Sequence, residues 1–175
     1  MDKTKITTKE FVQGLLYTLV KFSNHFYEDF GARAMVALGI KLDVGQLVTL
    51  KREVYMINMW ITSKILSPDK KILDEFHKKY LFAHADMAKT EQGEIDFPKI
   101  AEKELHERYA KYYADWNDKG SEQFILAMTM LEYMLNKGQP DKRFVRIDLQ
   151  FFVIQHIYGM MKFIMDFREK HEIID

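Results

Sequence analysis

Apolar residues recur along this chain at spacings of three and four, with no sustained two-residue alternation, and that rhythm predicts helices throughout. The densest stretch is Phe144 to Phe167. With each residue placed 100° after the last, Val145, Leu149, Phe152, Val153, His156, Met160, Phe163, Ile164 and Phe167 fall on one broad arc. Ile147, Phe151, Ile154, Tyr158, Met161 and Met165 fall on a second. Asp148, Gln155, Lys162 and Asp166 mark one seam between the arcs, Gln150 and Arg168 the other. A helix apolar on nearly all sides is buried, at the centre of its domain or between that domain and another surface. This segment is therefore expected to be wrapped by protein around almost its whole circumference. Gly159 in its middle costs about 1 kcal/mol relative to alanine, which points to close approach by a neighbouring helix. Only 13 uncharged residues separate Asp148 from Lys162. A membrane span needs about 20, so a transmembrane segment is rejected.

The remaining elements follow from their boundary signals. A capping box at Thr7 and Glu10 opens a first helix to about Phe30. The following Gly31 to Ile40 reads either as an extra short helix at 32–39, closed by Gly39, or as a continuation bent at Gly31. Asp43 and Gln46 repeat the capping device and open a second helix to about Leu66. Ser67 and Pro68 read as the cap and first turn of a third, to about His84. Met87 to Asp96 is the longest predicted loop, and Asp96 with Pro98 leads into a fourth helix ending near Trp116. Leu105, Tyr109, Tyr112 and Trp116 form its inner face, leaving Glu102, Lys103, Glu107, Arg108 and Lys111 to water. Ser121 caps a fifth helix ending at Lys137 and Gly138, and Gln139-Pro140-Asp141 leads into the sixth. The expectation is a single all-α domain over 1–175, a compact bundle of about six principal helices. The first, fifth and sixth should form its most buried layer, and sheet content should be near zero.

Composition narrows the function classes. A chain of 175 residues is large enough to bury about 70% of its unfolded surface without disulfides or metal. The 26 basic and 26 acidic residues cancel, which argues against a nucleic-acid binder, since such a protein shows a basic excess or stripe. Cysteine is absent, so thiol catalysis, zinc-thiolate sites and disulfide frameworks are excluded. The opening MDKTKITTKEF lacks the apolar run of a secretory leader, and cytoplasmic residence is the expectation.

Chemistry is sparse. His156 falls near the middle of the principal apolar arc, where a neutral imidazole can serve as a metal or haem ligand or simply as a hydrogen-bonded core residue. With Met160 and Phe152 it forms the candidate pocket for an apolar ligand or a metal or haem cofactor. Di-iron bundles need paired Glu-x-x-His motifs, and this chain has none. Its nearest arrangements are Asp74 with His77, His25 with Glu28, and the pair His77 and His84, with His106 a further imidazole. No serine lies in Gly-x-Ser-x-Gly and no glycine pattern cradles phosphate. Surplus apolar helix surface without chemical residues points first to a non-catalytic interaction or regulatory module. It would act as a homodimer or bind a partner protein through its helix surfaces.

Overall fold

The computed structural model describes residues 3–39, 41–85, 97–116, 123–135 and 147–175. Strand β1 (Thr4–Ile6) precedes α1 (Thr8–Leu38), α2 (Val44–Leu66), α3 (Lys70–Ala85), α4 (Phe97–Asp115), α5 (Gln123–Leu135) and α6 (Ile147–Lys170), and β2 (His171–Ile173) follows. The fold is an all-α bundle of six helices among the described residues. Its two short strands pair in parallel, Thr4 against His171 and Ile6 against Ile173. Three-residue strands carry too little alternation to register as a period, which is why the sequence pattern misses them.

Both capping boxes form as their spacing dictates. Thr7 accepts from the Glu10 amide while Glu10 accepts from the Thr7 amide, and Asp43 and Gln46 do the same. Helix α1 then runs unbroken through Gly31 to Leu38, so 32–39 is a continuation and not a separate helix. The Cβ that Gly31 lacks would make only ordinary contact with Leu50, and a helix tolerates such a glycine without bending. Gly39 is where it stops. At φ 62° it takes the left-handed conformation and donates to the carbonyls of Met35 and Val36, a conformation that disfavours side chains. Ser67 closes α2, its hydroxyl donating to the Lys64 carbonyl at 3.0 Å. Asp69, not Ser67, caps α3 by accepting from the Ile72 amide at 3.2 Å. The predicted loop at Met87 to Asp96, the Asp96 and Ser121 caps and the Lys137-Gly138 stop lie outside the described residues, as does the entry into α6.

The centre of the bundle is α2. It packs against all five other helices, and every residue from Glu53 to Ser63 is buried. Trp60, Ile57, Met59 and Ile61 are among the largest fully enclosed side chains. The expectation that α6 occupies this place is corrected. Helix α6 packs against α1, α2, α5 and β2 through Leu149, Val153, Met160 and Ile164 of its first arc, together with Ile157. Its second arc faces outward: Ile147 is 60% exposed, Phe151 48%, Tyr158 46% and Met165 49%. With α2 already covering the inner side and α1 and α5 the flanks, the other described helices, α3 and α4, pack mainly against α1, α2, α5 and each other.

Gly14 shows what close approach requires here. A Cβ on it would lie 3.1 Å from Cζ of Phe167, so α1 and α6 come together where α1 has no side chain. Gly159 has no such neighbour, since nothing lies within 4 Å of the Cβ it lacks. The predicted intrachain close approach at that position is not found.

Candidate functional site

Three groups of polar or apolar side chains stand out, and each is built from a different helix surface. The first is internal. His156 on α6 lies flat against Phe26 of α1, ring centroids 3.8 Å apart, and its Nε2 is 2.6 Å from Oδ1 of Asn58 on α2. The Asn58 amide nitrogen donates to Ser23 Oγ at 2.8 Å, which leaves its carbonyl oxygen for the histidine and assigns the imidazole proton to Nε2. Burial pushes the His156 pKa down to about 3, because the charged form loses water without gaining a carboxylate. The ring is thus a neutral donor at physiological pH. Phe152, one turn away, stacks on Phe26 at 5.3 Å and carries the Arg33 guanidinium over its outer face at 4.5 Å. Met160 is fully enclosed in the core. The structure therefore brings Phe152 and His156 together against Phe26, with Met160 a turn deeper, and engages Nε2 in a hydrogen bond to Asn58.

The second group joins α2, α3 and α4. Ser63 Oγ lies 2.8 Å from both His77 Nε2 and the Tyr109 hydroxyl, which are themselves 3.3 Å apart. Burial lowers the His77 pKa and raises that of Tyr109, so three neutral groups share their protons in a closed ring. Ser63 is 3% exposed, and the two described grooves are lined by other residues. One, of about 660 Å³, lies between Lys64, Asp69, Arg168 and His171 at the β2 end of the bundle. The other, of about 410 Å³, lies between Lys9, Lys71 and Asp175. Among the described residues no group of three histidine, aspartate or glutamate side chains is placed to hold a metal ion. His25 sits instead 3.5 Å from exposed Asp29, His106 faces solvent, and the side chain of His84 lies outside the described residues.

Sequence reasoning missed a buried ion pair beside this ring. Arg108 donates to both carboxylate oxygens of Glu53, Nε at 2.8 Å and Nη2 at 2.7 Å, and its guanidinium lies 3.6 Å above the Tyr133 ring. The expectation that Arg108 lies in water is corrected: it is buried, with Arg52 and Glu104 paired beside it between α2 and α4. One signal was available. Arg108 is three residues after Leu105 and four before Tyr112, which places it on the inner face of α4.

The third group is the outer face of α6. Ile147, Phe151, Ile154, Tyr158, Met161 and Met165 follow one another at spacings of four, three, four, three and four, the repeat of a coiled-coil seam. Ile154 and Met161 are partly buried and the other four are exposed. Neighbouring α5 steadies this face and extends it. Phe124 packs edge-on against Phe151 with centroids 5.3 Å apart, Tyr158 donates to Gln123, and Ile125 and Met128 are exposed on α5 itself. Among the described residues no helix is long and apolar enough to cross a membrane.

Compared with known proteins, the chain matches no family model, no curated protein and no solved structure.

Proposed function

We propose that this protein is a non-catalytic cytoplasmic helical interaction module that self-associates through the outer face of α6. The observation that carries the reading is the seam itself: apolar side chains at coiled-coil spacing, four of them about half exposed, on a helix whose opposite arc already fills the core. Leaving such a row in water forgoes about 25 cal/mol for each Å² of apolar surface, and a row of this order marks an interaction site more often than an idle surface. The internal polar groups support the same reading, because Ser63, Asn58 and Glu53 are each buried and committed to partners within the chain. They hold helices together and present no reacting atom to solvent.

Light scattering at micromolar concentration tests the proposal. The native chain should run at twice its 20.9 kDa mass. Phe151→Asp combined with Tyr158→Asp should run at the single mass with unchanged helical circular dichroism. A native protein that stays monomeric overturns it.

A further inference from the structure

Resting on that reading, we infer that two copies pair antiparallel along α6, with Gln155 beside the twofold axis and Asp148 of each copy facing Lys162 of the other. The inference comes from the two flanks of the seam. In heptad terms Phe151, Tyr158 and Met165 occupy position a, and Ile147, Ile154 and Met161 occupy position d. One flanking row, position g, is Gln150, Ile157 and Ile164, which are 5%, 1% and 0% exposed and belong to the chain's own core. The other, position e, is Asp148, Gln155 and Lys162, all exposed.

A parallel pair brings position e of one helix against position g of its partner. Here that would set Asp148 and Lys162 against a row already covered by the partner's own bundle. An antiparallel pair brings e against e on one flank, so that the charged rows meet each other, and g against g on the other, where the two bundles abut. With Gln155 near the axis, the residue seven before it, Asp148, meets the residue seven after it, Lys162, and the match occurs twice by symmetry. The core layers agree with the same register. Phe151 meets Met161, Tyr158 meets Ile154, and Ile147 meets Met165, so each ring packs on a flexible or aliphatic side chain. In the parallel alternative Phe151 would meet Phe151 and Tyr158 would meet Tyr158. The paired stretch, Ile147 to Met165, is roughly 27 Å long at 1.5 Å per residue, and all six seam residues of each copy fall in a layer.

The absence of native cysteine makes the register directly readable by oxidative cross-linking of the full chain. Gln155→Cys should give a disulfide-linked dimer under mild oxidation. Asp148→Cys and Lys162→Cys should each fail to link to themselves, yet link to one another when mixed. Asp148→Lys and Lys162→Asp should each weaken dimerisation by roughly tenfold, and the chain carrying both changes should recover it. Ready self-linking of Asp148→Cys, or a native dimer in which Gln155→Cys does not link, overturns the antiparallel register while leaving self-association intact. A native chain that is monomeric in light scattering overturns both.

Discussion

Helices α2 and α6 are of nearly equal length and apolar content, yet one is surrounded by the chain and the other is surrounded on one side only. The difference lies in what their polar residues do. Within its buried stretch α2 carries Glu53, Asn58, Thr62 and Ser63, and each finds a partner: Arg108, the Ser23–His156 pair, its own Asn58 carbonyl, and the His77–Tyr109 ring. In α6 Gln150 and His156 are likewise turned inward, while Asp148, Gln155 and Lys162 form a row that stays at the surface. At nearly equal apolar content, the helix whose polar residues are buried with partners marks the centre of this bundle, and the helix that keeps an exposed apolar row lies at its edge. Partnered polar groups are compatible with full burial, whereas apolar residues in excess of one core have to go outward.

The comparison is broken most severely by emptying its buried side. Trp60→Ala should cost about 3–5 kcal/mol in urea denaturation, while Phe151→Ala, in a monomeric background, should cost under about 1 kcal/mol because half of that ring already meets water. Equal losses at the two positions would mean that α6 is as enclosed as α2. Next comes the ion pair. Glu53→Ala and Arg108→Ala should each cost about 3–5 kcal/mol, since either leaves a buried charge alone. The double variant should cost less than their sum, and additivity in the cycle would show that the two side chains act separately.

A pH-dependent effect separates the two helices where they touch. His156 has a folded-state pKa of about 3 against an ordinary value of 6.5, so the unfolded chain binds the extra proton between those values. Stability attributable to this ring is complete above 6.5 and is lost as pH falls below it, by up to about 1.4 kcal/mol per pH unit. His156→Gln should flatten that part of the urea midpoint-against-pH curve, and an unchanged slope would place the acid sensitivity elsewhere, His77 being the next group with a lowered pKa. The mildest change is on the outside. Gly159→Ala meets no atom within 4 Å and should stabilise the fold by up to about 1 kcal/mol; a loss would reveal a neighbour at that position in the assembled state.

How far the residues alone disclose this architecture depends on how local each signal is. Thr7 with Glu10 and Asp43 with Gln46 are legible because cap and partner are three residues apart, and the angular positions on α6 correctly separate its two arcs. Which arc turns inward is not legible, since periodicity fixes relative angles and carries no information on the number of neighbouring helices. His156 is readable as a core histidine in need of a partner, but Asn58 lies 98 residues away. Separation in sequence likewise hides Glu53 from Arg108, 55 residues apart. Asp69 displaces Ser67 as the α3 cap because Ser67, still in helical geometry at φ −50° and ψ −30°, points its hydroxyl back into α2.

The short parallel ladder has a mechanical meaning. Thr4–Ile6 and His171–Ile173 run in the same direction side by side, and Asp175 accepts from both the amide and the hydroxyl of Thr8 at 2.7 Å. Tension applied to the strands from opposite ends would slide them past one another, loading every rung at once instead of peeling them singly. This small clasp would thus bear a pulling force before the helices begin to separate.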